Sequence, residues 1–150
     1  MAGTYSKLYY HIVFSTKNRE PFISEAIEDE LHKYMCGIIR NIDGKCIEIN
    51  GMPDHVHILA IVPPKLSLSD ALRTIKANSS KWLRETKAAC TTFGWQDGYS
   101  AFTVSTSQVP SVRKYIRNQK NHHRQGDYKS ELVGLLQKHG VEYDERYLWD

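Results

Sequence analysis

The 150-residue sequence predicts an α+β fold, a ferredoxin-like or RNA-recognition-like β-α-β-β-α-β sheet followed by C-terminal helices. Two observations carry that class. Runs rich in β-branched and aromatic residues alternate with runs of helical apolar spacing in that order. The connections are short, with no repeat, low-complexity tract or linker to mark a boundary. The length gives room for one domain, over 1–150, and none for a second catalytic one. With 41% hydrophobic, 25% charged and 11% aromatic residues, the chain has enough apolar material to fold without metal or disulfide staples. A disordered or collagen-like chain is excluded.

Ser6 to Ser15, SKLYYHIVFS, has the composition of a strand with a buried face. Pro21 opens a helix on which Ile23, Ile27, Leu31, Tyr34, Met35 and Ile38 recur at helical spacing, with Glu25, Glu28 and Asp29 favouring its N-terminus. Asp43-Gly44 turns into KCIEING, and Met52-Pro53-Asp54 turns into HVHILAIV, so two short strands pair as a hairpin that Pro63-Pro64 stops. Ser67 to Lys87 is a second amphipathic helix, with Leu68, Leu72, Ile75, Trp82 and Leu83 on one face. YSAFTVS, 99–105, alternates like a fourth strand. Pro110 precedes a third helix, SVRKYIRNQKNHHR, and Asp127 to His139 forms a fourth, ended by Gly140.

Cys36, Cys46 and Cys90 are widely spaced and include no C-x-x-C pair, so the expectation is three small buried hydrophobes in a reducing compartment. No apolar stretch approaches the roughly 20 residues that span a bilayer, and no leader-like segment precedes the first strand. A soluble, cytoplasmic protein without membrane contact is expected.

Three features bear on chemistry. His55-Val56-His57 lies in an apolar run, where period-2 alternation sends both imidazoles to one sheet face and Val56 to the other. Such a pair can fill two positions around a divalent metal. A bare H-x-H is better described as two half-buried surface residues of a strand, so something else must complete a site. Tyr115 and Gln119 stand at i and i+4 on the third helix, with Cβ atoms about 5–6 Å apart. With a divalent metal polarising a phosphate, a phenol becomes a feasible nucleophile and the amide oxygen a third ligand. On spacing alone, the plainer description of a core aromatic beside Ile116 and an exposed amide is the better one. The third feature is charge. Between Asp97 and Asp127 there is no acidic residue, while Arg113, Lys114, Arg117, Lys120 and Arg124 give +5. Arg73, Lys76, Lys81, Arg84 and Lys87 against Glu85 give +4 over Ala71 to Cys90. This concentration, hidden in a net charge of +3, suits a phosphate-binding surface. At 100° per residue, Arg113, Arg117, Lys120 and Arg124 lie nearly opposite Tyr115, so they cannot all share its pocket.

The blocks Pro53-Asp54-His55-Val56-His57-Ile58-Leu59 and Tyr115-Ile116-Arg117-Asn118-Gln119-Lys120-Asn121-His122-His123 resemble the two signatures of the single-tyrosine HUH transposases. These are the TnpA-type enzymes of minimal insertion sequences, with repetitive-palindrome-associated relatives. LYYHIVFSTKNRE, IKANSSKWL and GYSAFTVS extend the resemblance over nearly the whole chain. It implies His55, His57 and Gln119 as ligands of Mg²⁺ or Mn²⁺, and Tyr115 as the nucleophile on a scissile phosphodiester of single-stranded DNA. A 5′-phosphotyrosine and a free 3′-OH would form, and a later transesterification would rejoin strands. The resemblance also implies a homodimer with an exchanged tyrosine helix, which the polar segment Ser105 to Ser111 could allow, and recognition of hairpins at element ends. Arg73, Lys76, Arg84, Arg113, Lys114, Lys120, His122 and Arg124 are the candidate DNA contacts.

Other readings remain at this level. A non-catalytic RNA-recognition-like module would stack bases on Tyr9, Tyr10 and Phe14, which serve equally as core residues. A domesticated enzyme that cuts palindromic repeats would share every residue above. A two-histidine phosphoesterase needs a second histidine motif on another strand, and His11 alone does not supply one.

Overall fold

The computed structural model describes residues 3–123 and 126–150. The chain forms β1 (Tyr9–Ser15), α1 (Glu25–Asn41), β2 (Lys45–Met52), β3 (His55–Ile61), α2 (Leu68–Thr86), β4 (Ser100–Val104), α3 (Val109–Arg117), α4 (Gln119–His122) and α5 (Tyr128–Lys138). The four strands make one sheet in the order β2-β3-β1-β4, every neighbouring pair antiparallel. That order places the first and third strands at the centre, as the predicted split β-α-β arrangement requires.

Alternation along the central strands divides the molecule into two layers. Ile12 and Phe14 of β1 and Val56, Ile58 and Ala60 of β3 face α1 and α2, where Leu31, Met35, Ile39, Leu72, Ile75 and Leu83 complete the main core. On the opposite face, Val13 and Phe102 pack against Tyr128, Leu132 and Leu136 of α5. Leu59 and Val104 pack there against Ile116 of α3. Among the described residues both faces are therefore covered, and neither leaves an open platform for stacked bases. Phe14 is fully buried on the α1/α2 side, its ring 4.8 Å from that of Trp95, while Tyr9 and Tyr10 are half-buried. Ser67 caps α2 by accepting from Asp70 N (3.1 Å), and Asp127 caps α5 by accepting from Ser130 N (2.9 Å).

Three sequence expectations change. The first strand begins at Tyr9 rather than Ser6. The predicted third helix, 111–124, is broken at Asn118, and its last residue, Arg124, lies outside the described residues. The break has a partner across the fold: Asn50 Nδ2 donates to the carbonyls of Ile116 (3.0 Å) and Arg117 (3.1 Å), the groups a continuing helix would have used itself. Cys36 and Cys46 are paired in a disulfide, with Cα atoms 5.4 Å apart, and only Cys90 is free and buried. The turn after α1 brings its last turns over β2, a juxtaposition the ten-residue spacing did not announce. Gly44 makes that close turn possible, because a Cβ there would stand 2.7 Å from the Ile61 carbonyl. Among the described residues, no helix is long and apolar enough to cross a membrane.

Candidate active site

His55 and His57 sit on β3 facing α3 and α5, both fully buried, with Val56 in the opposite core, as the alternation predicts. The edge strand closes tightly on them. A Cβ on Gly51 would come within 2.2 Å of the His55 carbonyl, so this position requires glycine. Each ring is held from behind. His55 Nδ1 donates to Asp54 Oδ1 at 2.7 Å, and His57 Nδ1 lies 2.9 Å from Nε2 of His11 on β1. Both rings consequently turn Nε2 towards one point.

At that point stands Glu131 of α5. Its Oε1 is 3.0 Å from His57 Nε2, 3.3 Å from His55 Nε2 and 3.0 Å from His123 Nε2. The helix break at Asn118 leaves Tyr115 and Gln119 converging on the same carboxylate: the Tyr115 hydroxyl donates to Oε2, and Gln119 Nε2 donates to Oε2 at 2.8 Å. Gln119 Oε1 lies 3.3 Å from His55 Nε2, and Gln119 is fully buried. The Tyr115 ring is 5.8 Å from the His57 ring of its own chain, and the His122 ring lies tilted against it, 4.6 Å between centroids. A cavity of about 650 Å³ between α3 and α5 reaches the cluster, with His11, Tyr115 and Glu131 in its wall.

The charges follow from burial and these contacts. Burial opposes ionisation of Glu131, yet hydrogen bonds from His55, His57 and Tyr115 hold its carboxyl far below the ordinary range. Burial also works against charge on His55, but Asp54 and Glu131 outweigh it and raise the imidazole above its usual value. For His57 burial wins over Glu131, and the group is lowered. Burial, reinforced by the neighbouring His57, takes His11 down to about 3. Burial and then the Glu131 carboxylate push the Tyr115 phenol well above its ordinary value.

One ligand atom from each of His55, His57 and Glu131 lies within 4.8 Å of the other two, so the trio can hold a metal ion. The fit is closer than that limit alone. With metal–oxygen bonds of about 2.0–2.1 Å in an octahedral shell, adjacent ligands stand roughly 3 Å apart. The separations of Glu131 Oε1 from both imidazoles, 3.0 and 3.3 Å, and of Gln119 Oε1 from His55, 3.3 Å, match it. Two imidazoles with a carboxylate and an amide oxygen form a mixed set suited to a divalent cation.

The proposed DNA contacts divide. Arg73, Lys76 and Arg84 line a groove of about 630 Å³ beside α2, with Lys17 on its rim. Lys76 is half-buried there, its Nζ donating to the carbonyls of Asp97 (3.1 Å) and Gly98 (2.6 Å), and burial lowers it to about 8. Arg113 and Arg117 instead pair with Glu48 at 3.0 and 2.7 Å, and Lys120 pairs with Glu28, so these three tie α3 and α4 to the rest of the fold. Lys114 and His122 are exposed.

Sequence reasoning passed over Glu131, His123 and the contact of His11 with His57. Glu131 carried a usable signal. It falls three residues after Tyr128 and directly before Leu132, inside the apolar stripe of α5, where a carboxylate needs a cationic or hydrogen-bonding partner. No local spacing connects it to the histidines, 74 residues earlier in the case of His57.

A family model described as "Transposase IS200 like" matches residues 4–119. Among curated proteins, the ISDra2 transposase TnpA of Deinococcus radiodurans is 25% identical over 122 residues, 78% of this chain and 87% of that protein. The transposase for insertion sequence element IS200 of Salmonella typhimurium is 29% identical over 145 residues, 87% of this chain and 88% of that protein. Among solved structures, a REP-associated tyrosine transposase bound to a REP hairpin superposes with a TM-score of 0.61 at 17% identity, covering 82% of this chain and 73% of that one. The matched span runs from before β1 to Gln119, taking in both histidines of β3 and the tyrosine of α3, and the chain belongs to the IS200-like transposase family.

Proposed function

We propose that this transposase cuts and rejoins single-stranded DNA with Tyr115 as the nucleophile and a divalent cation, Mg²⁺ or Mn²⁺, held by His55, His57, Gln119 and Glu131. The observation that carries it is the convergence of the Tyr115 hydroxyl, both imidazole Nε2 atoms and the Gln119 amide on one buried carboxylate. A cation held there by these residues would polarise the phosphate and neutralise charge developing on it. The chain's own groups do the rest. Asp54 holds the His55 imidazole, and Glu131, itself held by Gln119, holds the phenol at the site.

Tyr115 Oη forms a bond to phosphorus as the bond from phosphorus to O3′ breaks, giving a 5′-phosphotyrosine and a 3′-hydroxyl. The phenol proton passes by way of Glu131 Oε2, which already accepts it as a hydrogen bond, to the departing O3′, so Glu131 ends ionised and the proton count is unchanged. One phosphoester replaces another, so neither a hydrolytic water nor a nucleotide is consumed. Attack by a 3′-hydroxyl on the phosphotyrosine reverses the step and rejoins strands.

The groove of Arg73, Lys76 and Arg84 and the exposed Lys114 and His122 are the surfaces we assign to flanking DNA, including hairpins at element ends; the hairpin held by a protein of the same fold supports that partner. Arg124 belongs to the same basic stretch and lies outside the described residues. Recognition and chemistry then share one domain over 1–150, completed as a homodimer with an exchangeable tyrosine helix, in a soluble, cytoplasmic protein.

The test is incubation of labelled single-stranded element ends with Mg²⁺ or Mn²⁺ and the wild type, Tyr115→Phe or His55→Ala. A covalent protein–DNA adduct is expected from the wild type alone, and His55→Ala should still bind the hairpin. An adduct formed by Tyr115→Phe would sink the assignment.

A further inference from the structure

His11 is buried on β1, 3% exposed, and the chemistry above gives it no direct part. In the β1–β3 register Val13 stands opposite His57 and His11 opposite Leu59, so His11 is the diagonal neighbour of His57 on the same face. Its immediate neighbours within the sheet are apolar, while its outer side borders the cavity that Tyr115, Glu131 and His139 also line. Val13, Leu59 and Phe102 flank it along the sheet, and a polar ring buried beside them costs free energy unless it makes a hydrogen bond. The close contact of its ring nitrogen is Nε2 to His57 Nδ1 at 2.9 Å, while Phe102 and Tyr115 meet the ring edge-on at 6.1 and 6.0 Å.

His55 shows what such a contact does. Its Nδ1 hydrogen is taken by Asp54, which leaves Nε2 facing the site. An imidazole that binds a cation through Nε2 must carry its hydrogen on Nδ1, and the group accepting that hydrogen sets both tautomer and ring angle. We propose that His11 is a positioning residue for His57: with a divalent cation on His57 Nε2 in place of the hydrogen now shared with Glu131, His11 Nε2 accepts the His57 Nδ1 hydrogen and fixes the tautomer and orientation that hold the cation. This rests on the reading of His57 as a cation ligand. The two ligands then have partners of different kinds. Asp54 is a charged acceptor at a turn, and His11 is a neutral one inside the sheet that adds no charge to a layer already holding Glu131.

The test is a Mn²⁺ titration followed by electron paramagnetic resonance of the free ion, on the wild type, His11→Phe, His11→Gln and His57→Ala, each checked for a cooperative thermal transition. His57→Ala should lose the site. His11→Phe keeps a ring of similar shape without an acceptor and should bind Mn²⁺ roughly 10–100-fold more weakly. His11→Gln, whose amide oxygen can accept the same hydrogen, should recover most of that loss. Wild-type affinity in His11→Phe, or equal weakening in both variants, would overturn the proposal. If His57→Ala binds as tightly as the wild type, the ligand reading falls instead. Nitrogen-15 spectra of the metal-free protein decide the pairing separately: one slowly exchanging imidazole hydrogen shared between His11 and His57 is expected, lost in His11→Phe, and its absence from the wild type would refute the contact.

Discussion

Glu131 receives contacts from five side chains, His55, His57, His123, Tyr115 and Gln119, and so joins the nucleophile to the ligand set. A buried carboxylate so engaged stays ionised, and removing its charge unbalances each partner at once. Glu131→Gln keeps the volume and part of the hydrogen bonding while deleting the charge. Mn²⁺ affinity should fall by about tenfold or more, since a neutral amide replaces an anionic ligand. The Tyr115 phenol should also move down while staying above its ordinary value, because the Glu131 contribution goes and burial, the larger cause, remains. Carbon-13 tyrosine spectra across a pH titration read this directly, and an unmoved Tyr115 resonance would contradict the electrostatic assignment.

The site depends on how closely whole elements meet, above all at the β2–β3 hairpin. Gly51 lets the edge strand approach the His55 carbonyl, so Gly51→Ala forces the two strands apart beside a ligand. Overpacking of this kind costs roughly 1–3 kcal/mol. A lower thermal midpoint together with weaker Mn²⁺ binding is expected; a fall in stability with unchanged metal affinity would mean the hairpin does not set the ligand geometry. Elements differ in how far the sequence disclosed them. Period-2 alternation put His55 and His57 on one face and Val56 on the other, and the strand and helix order gave the sheet, because both signals are local. The break at Asn118 was not legible, since its cause is Asn50 on another strand accepting the role of helix cap. The same distance hid the Cys36–Cys46 pair and Glu131. Tyr115 and Gln119 survived the break as a pair because Asn118 turns the chain without moving either residue off the carboxylate.

The two layers meet around the edge of the sheet, and there the whole molecule acquires a sensitivity to acid. Lys120 of α4 reaches Glu28 of α1, and its Nζ also donates to the Gly51 carbonyl, so the tyrosine-bearing segment is fastened to the opposite layer. His32 of α1 lies buried beside this link. Burial lowers it from its ordinary value to about 4, with Glu28 opposing and Lys120 assisting the shift. The folded protein therefore keeps His32 neutral where the unfolded chain takes a proton. Between pH 6.5 and about 4 the unfolded state binds the extra proton, so this group's contribution is complete above that window and is lost as pH falls through it. At about 1.4 kcal/mol per pH unit, the loss reaches up to about 3 kcal/mol, a sizeable part of a typical domain's stability. His32→Gln removes the titration while keeping a helix-compatible polar side chain. Urea unfolding of both proteins at about pH 7 and about pH 4.5 should show a smaller acid-induced loss in the variant. Equal losses would place the acid sensitivity elsewhere in the molecule, and a larger loss in the variant would reverse the sign assigned to His32.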